Sequence, residues 1–261
     1  MKILFIGDIV GSPGREAVKE LLQGLKQEFS LDFTIANAEN AAGGSGITSK
    51  VSRELFDAGL DALTSGDHIW KKSEIIEFID QEERILRPAN FPEGAPGRGS
   101  AIFKTKGGLK LGVVNLQGRV FMEALDCPFK AGRRLVDELA KETKVIIVDI
   151  HAEATSEKVA LGWYLDGKVS AILGTHTHIP TADEKILPQG SAYITDVGMC
   201  GSHDSVIGRK IEDVLARFVS ALPMRFEVAK DNVVLEGVVL DIDEKSGHAR
   251  SIIRIQRKLL R

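Results

Sequence analysis

Short apolar runs alternate with amphipathic stretches along most of the chain. "KILFIGD" at 2–8 is strand-like, and "GREAVKELLQGLKQEF" at 14–29 carries apolar residues at helical spacing. The unit repeats: "DFTIANAEN" at 32–40 predicts a second strand, "TSKVSRELFDAG" at 48–59 a helix capped at Gly59, and "ALTSGDHIW" at 62–70 a third strand with its exit loop. A helix is expected in "SEIIEFID" at 73–80. Two β-runs around a Gly-Gly turn follow in "GSAIFKTKGGLKLGVVNLQG" at 99–118 and bring antiparallel pairing into the sheet. "KVIIVDIHAEA" at 144–154 and "VSAILGTHTH" at 169–178 restore the strand-then-loop rhythm, with a short helical stretch from Thr155 between them. The last third holds "SAYITDVGM", a helix "IEDVLARFVSAL" and β-rich runs over 225–257, without internal repeat, low-complexity tract or linker. The fold class is α/β.

The polar residues gather where the apolar runs stop. Asp8 closes the first strand, Glu39 and Asn40 the second, Asp67 and His68 the third, His151 a later one, and His176 and His178 the next. Carboxyl ends of strands in open α/β sheets converge on the edge where ligands bind, so these residues are expected to meet. In "GTHTH" the two histidines are one residue apart, and in an extended chain positions i and i+2 point to the same side, which suits a metal ion. Carboxylates and imidazoles from separate strand ends would complete such a site.

Composition narrows the class. A 261-residue chain with 43% hydrophobic residues buries a sizeable core, and one domain over 1–261 is expected. Its 34 Lys+Arg against 37 Asp+Glu give net charge −3 without a long basic run, so a small substrate fits better than duplex nucleic acid. The apolar part of "MKILFIGDIV" is too short to span a membrane and lacks a signal-cleavage pattern. Cys127 and Cys200 form no disulfide framework and no thiolate zinc cluster. A cytoplasmic protein without membrane contact is expected. "GDIVGSPG" lacks G-x-G-x-x-G spacing and a Walker lysine; Gly7, Gly11 and Gly14, with "AAGGSG", are expected to form loops that admit a phosphate. No G-x-S-x-G elbow is present. His203 is a secondary candidate for the pocket, His248 is expected at the surface, and Arg98, Arg119 and Arg133 are candidate phosphate contacts.

The order Asp8, Glu39-Asn40, "GDH", His151, "GTHTH" resembles the calcineurin-like metallophosphoesterases, specifically their bacterial YmdB-like branch. "FIGDIVGSPGR", "NAENAAGG", "RPANFPEG", "VNLQGR", "HAEATSEK" and "ITDVGM" extend the resemblance over essentially the whole chain. It implies a sandwich of two mixed β-sheets flanked by helices, with a dinuclear metal site at the sheet edge. By the same resemblance Asp8, Asn40 and His178 hold one metal, Asp67, His151 and His176 the other, and Glu39 bridges both. His68 stays free of metal and gives a proton to the leaving alkoxide. The implied cofactors are two ions, iron or manganese, with zinc compatible. The implied reaction is hydrolysis of phosphodiesters, 2',3'- or 3',5'-cyclic nucleotides above all, by in-line attack of a metal-bridging hydroxide. The Asp-x-His opening common in metallophosphoesterases is absent, since Ile9 and Val10 follow Asp8, and Asp67 stands where the branch carries asparagine.

Two other classes share part of the pattern. A metal-dependent amidohydrolase carries its His-x-His pair on the first barrel strand, whereas here it comes late and eight regular β/α units are missing. A regulatory metal-binding protein of the same fold would act through partners with little turnover. A homo-oligomer is compatible with either function.

Overall fold

The computed structural model describes residues 1–260. Chain order runs β1 (Lys2–Ile6), β2 (Asp8–Ile9), α1 (Gly11–Phe29), β3 (Phe33–Asn37), α2 (Ser49–Asp57), β4 (Ala62–Thr64), α3 (Glu74–Phe78), β5 (Ser100–Lys104), β6 (Lys110–Gln117), α4 (Pro128–Leu139) and β7 (Ile146–His151). It continues with α5 (Thr155–Leu165), β8 (Ala171–Thr175), β9 (Lys185–Ile186), β10 (Ala192–Ile194), β11 (Met199–Ser202), α6 (Ile211–Ser220), β12 (Val233–Ile242) and β13 (Ala249–Lys258).

The strands form two mixed sheets. The seven-stranded sheet runs β2-β11-β12-β1-β3-β4, with β13 on the other edge of β12. One edge of β12 is shared in succession, by β11 at Val233 to Leu235 and by β1 at Gly237 to Asp241. The six-stranded sheet runs β5-β6-β7-β8-β10-β9, parallel from β6 to β10 and antiparallel at both ends.

Alternation along each strand assigns its two faces. Ile3 and Phe5 of β1 point between the sheets, where they pack with Val113, Ile147, Leu173 and Val238. Leu4 and Ile6 point outward to Val18 and Leu22 of α1 and Leu55 of α2. On the far side Val114, Val148 and Ile172 pack with Val136 of α4 and Leu161 of α5. Because both faces of the central strands are covered, they read as continuous apolar runs rather than alternating ones.

The sequence expectations hold for most elements and differ at several places. α1 starts at Gly11, three residues before the predicted start, with Pro13 in its first turn. The glycines around it serve packing more than loop formation: a Cβ on Gly7 would lie 2.0 Å from the Gly198 carbonyl oxygen, and one on Gly14 2.2 Å from that of Cys200. The pattern did not reveal α4, whose buried face is only Pro128, Gly132, Val136 and Leu139 amid charged residues, so its apolar stripe is thin. Gly59 does take the predicted role after α2, at φ +114° with its amide donating to the Phe56 carbonyl. α6 buries Val214 and leaves Phe218 and Val219 exposed at 80% and 86%. No helix among the described residues is long and apolar enough to cross a membrane.

Candidate metal centre

The carboxyl ends of the parallel strands of both sheets meet at one edge. Asp8 opens β2 just beyond β1, Glu39 and Asn40 follow β3, and Asp67 and His68 follow β4. From the other sheet, His151 ends β7, and His176 and His178 follow β8. All eight predicted residues come together. Glu39, Asp67, His151 and His176 each offer an atom within 4.8 Å of the others'. Glu39 Oε2 lies 3.1 Å from His151 Nε2, Asp67 Oδ1 3.2 Å from the same nitrogen, and His176 Nδ1 3.0 Å from it. Beside this group, Asp8 Oδ1 is 3.8 Å from both His151 Nδ1 and His178 Nε2, and Asn40 Nδ2 is 3.3 Å from His178 Nε2. Gly66 keeps the centre open, because a Cβ there would stand 2.3 Å from His151 Nε2 and 2.4 Å from Glu39 Oε2.

The histidine pair is presented differently from the extended-strand expectation. β8 stops at Thr175, and His176 and His178 have φ of 95° and 64°. Their rings therefore diverge, His176 Nδ1 toward Asp67 and His151 and His178 Nε2 toward Asp8 and Asn40.

Hydrogen bonds fix which imidazole nitrogen faces inward. The Thr175 hydroxyl donates to Asp149 Oδ1 at 2.8 Å, so its oxygen must accept from His151 Nδ1 at 2.9 Å. His176 Nε2 faces Glu153 Oε2 at 3.1 Å, and His178 Nδ1 donates to the Ile207 carbonyl at 3.0 Å. Each ring thus spends its N–H on an outer acceptor and turns a lone pair inward, the arrangement metal-ligating histidines adopt. Among the buried side-chain atoms, Asp8 Oδ1 has no hydrogen-bond partner, and an unpaired buried carboxylate oxygen is costly. Inward lone pairs beside the unpartnered Asp8 Oδ1 fit a cation, and the mixed oxygen and nitrogen set fits a divalent transition metal.

The electrostatics agree. Burial pushes the Asp8 carboxyl up from its ordinary value. Burial opposes the Glu39 anion, but the charge of His151 and hydrogen bonds from His151 and His68 hold its carboxyl well below the usual range. Burial opposes protonation of His151, yet Glu39 and Asp67 hold its pKa well above the ordinary value. Burial and the neighbouring His151 push His176 down to about 4. The carboxylates around His151 therefore favour positive charge at the centre.

His68 stands apart from the other histidines. Its Nδ1 is 2.8 Å from Asn40 Oδ1 and 3.2 Å from Glu39 Oε1, and its side chain is 30% exposed. The hydrogen bond to Glu39 raises its pKa against the effect of burial. Asn37, Asp149 and Thr175, absent from the sequence expectations, lie directly behind the site. Asn37 Nδ2 donates to Asp149 Oδ2 and to the Ser65 carbonyl, both at 3.1 Å. Their signal was present as polar residues inside otherwise apolar runs, Asp149 two positions before His151 and on the same face. The candidate arginines have other partners: Arg98 pairs with Glu83, Arg133 with Asp137 on α4, and Arg119 Nη2 approaches Cys127. His203 lies 3.8 Å from Glu236, and His248 is at the surface as expected.

Known proteins resemble this chain in sequence and in fold. A protein of Bacillus subtilis strain 168 described as a 2',3'-cyclic-nucleotide 2'-phosphodiesterase is 53% identical over 98% of this chain and 96% of its own. The crystal structure of a phosphatase from Mycoplasma pneumoniae superposes with TM-score 0.92 at 36% identity, covering 99% of this chain and 93% of that one. A calcineurin-like phosphoesterase from Bacillus subtilis, at 12% identity and TM-score 0.56 over 99% of this chain and 90% of that one, shares the fold. The family described as YmdB-like protein matches residues 4–255, and the chain belongs to that family.

Proposed function

We propose that the protein is a metal-dependent phosphodiesterase acting on small phosphodiesters, with 2',3'-cyclic nucleotides as the best-supported substrates and 3',5'-cyclic nucleotides next. The observation that carries this reading is the set of three histidines whose outer nitrogens are committed and whose inner nitrogens face carboxylates. The name of the Bacillus subtilis relative supports the substrate class.

In this reading Asp67, His151 and His176 hold one ion, Asp8, Asn40 and His178 the other, and Glu39 serves both. The two Glu39 oxygens favour that role, since Oε2 faces His151 and Oε1 faces Asn40. Divalent ions bound there supply positive charge for the phosphoryl oxygens and make a nucleophile available from water near neutral pH. The mixed oxygen and imidazole donors suit iron, manganese or zinc alike, and the family resemblance favours iron or manganese. Asn40 turns its amide nitrogen toward His178, so a ligating role requires the carboxamide rotated by half a turn, which exchanges oxygen and nitrogen without changing its shape. His68, in its imidazolium form with Nδ1 3.2 Å from Glu39 Oε1, then gives its Nε2 proton to the departing alkoxide and is left as neutral imidazole, a role its raised pKa favours. The reading includes a single domain over 1–261 and a cytoplasmic location, which the unpaired Cys127 and Cys200 favour. It also includes a homo-oligomer, which the exposed apolar side of α6 favours.

The test is hydrolysis of 2',3'-cyclic AMP, bis-p-nitrophenyl phosphate and p-nitrophenyl phosphate by protein of measured metal content. Diester turnover that disappears with chelator and returns with manganese is expected. Chelator-insensitive turnover, or none with metal loaded, would end the proposal.

A further inference from the structure

We propose that the buried ion pair of Lys158 and Asp196 is a positioning device that, through Thr177, sets His176 and His178 for metal; this rests on the metal-site reading above. Thr177 is the residue between the two histidines. Its backbone N–H and its hydroxyl both donate to Asp196 Oδ2, at 3.1 and 2.7 Å. Lys158 Nζ donates to the same oxygen at 2.9 Å, with Lys158 1% exposed and Asp196 fully buried. The other Asp196 oxygen accepts from Gly198 N at 2.8 Å, so the carboxylate itself cannot swing.

The segment needs such a tie. A positive φ is uncommon outside glycine, and His176 and His178 both have one, so a free segment would relax to extended backbone and turn both rings the same way. Each residue is held from a different direction: His176 N donates to Asp8 Oδ2 at 3.1 Å, Thr177 is bound to Asp196, and the His178 ring is bound to Ile207. An ionised carboxylate accepts stronger bonds than a neutral amide, and it stays ionised in a dry interior only when paired. Lys158 supplies that pairing from α5.

Gly174 makes the approach possible. A Cβ there would lie 1.8 Å from the Thr195 carbonyl oxygen and 3.0 Å from Lys158 Cδ. Three separate sequence stretches are therefore one mechanical unit: Lys158 from "HAEATSEK", Gly174 and Thr177 from "GTHTH", and Asp196 from "ITDVGM". A buried ion pair is weak evidence for stability, since apolar residues of similar volume often serve as well, so its value here is the conformation it imposes.

The experiment compares wild type, Thr177→Val, Thr177→Ser and Asp196→Asn by manganese titration, metal content, melting temperature, and kcat and KM on bis-p-nitrophenyl phosphate. Thr177→Val keeps the volume and loses the hydroxyl bond. It should weaken manganese binding by about 10- to 100-fold, the usual effect of losing an outer partner of a ligand. At saturating manganese it should lower kcat with KM little changed. Thr177→Ser should restore binding, and Asp196→Asn should weaken it at least as much as Thr177→Val. Wild-type manganese affinity in folded Thr177→Val, or a serine variant as weak as the valine one, overturns the positioning role. So does a fall in melting temperature with binding unchanged, which marks a purely structural pair. A wild-type protein that binds no manganese overturns the metal-site reading instead, and is recognised before any variant is compared.

Discussion

The two sheets contribute to the site in opposite currencies. The seven-stranded sheet brings Asp8, Glu39, Asn40 and Asp67, all oxygen donors, together with His68; the six-stranded sheet brings His151, His176 and His178. Their supports differ too. The acidic half braces itself, as when the Glu39 amide donates to Asn37 Oδ1 and Glu39 Oε2 accepts from the His68 amide, both at 3.1 Å. The imidazole half is held from behind, by Thr175 and Asp149, Glu153 and the Ile207 carbonyl. Neither half balances its charge alone, so the centre exists only where the sheets pack. Polar bonds between the sheets fix that packing: Asn37 reaches Asp149, and Ser65 and Asn115 exchange a reciprocal pair at 3.0 Å. A purely apolar inter-sheet core would tolerate sliding, whereas these directional bonds set the register beneath the ligands.

Removing the residue that serves both halves should have the largest effect. Glu39→Ala leaves His151 without its nearest carboxylate. It should lose bound metal and reduce kcat/KM by well over the roughly 100-fold that an outer partner costs. Metal analysis beside kinetics checks this, and a variant with full metal and near-normal rate would remove Glu39 from the centre. His68→Ala should come next. It should keep both metals and slow diesters with poor alkoxide leaving groups by roughly 100- to 10,000-fold, the range for a lost general acid, while activated aryl esters suffer less. A collapse of metal content would make His68 part of the ligand set instead.

The acidic half was the more legible in the sequence. Asp8, Glu39, Asn40 and Asp67 end apolar runs, and the rule that strand ends gather needs no tertiary detail. The alternation that singles out His176 and His178 accounts for them only in part, since i and i+2 alternation presupposes extended backbone and the left-handed φ values turn the rings apart. Nothing local in "GTHTH" announces that conformation, which is imposed by Asp196 and Ile207 from elsewhere in the chain. The outer partners were legible only in part: Asp149 stands out in "KVIIVDIH", but Thr175 passes for an ordinary β-former. Fold class and most elements followed from periodicity. α4 escaped because a narrow apolar stripe behind Pro128 resembles a charged loop.

The imidazole half is sharpened by a smaller change. Thr175→Val removes the oxygen that accepts from His151 Nδ1 and the hydroxyl that donates to Asp149, without changing the buried volume much. His151 then loses its preferred tautomer. Metal affinity should fall by about 10- to 100-fold. Thr175→Ser should recover most of it. Unchanged affinity in folded Thr175→Val would mean the ring is held by packing alone.

The smallest effect, and the most diagnostic of the acidic half, belongs to Asp67→Asn. Asp67 adds a third carboxylate to Asp8 and Glu39. Burial opposes its anion, but the hydrogen bond to His151 leaves its pKa below the ordinary value, so it is charged at neutral pH. A unit charge at 4 Å is worth about 4 kcal/mol at an effective dielectric of 20. The Asp67 side chain is 25% exposed, and asparagine retains an oxygen donor, so solvent screening discounts that figure heavily. The manganese dissociation constant should rise on the order of tenfold, equivalent to about 1.4 kcal/mol. The anionic diester should respond oppositely, because one repelling charge has gone: at saturating manganese its KM should fall a few-fold, and the gain should shrink as salt rises. Opposite movement of the two constants is the signature of charge, since a merely disturbed site weakens both. If KM rises with the metal constant, or neither moves, Asp67 does not act through its charge and the acidic half reduces to Asp8 and Glu39.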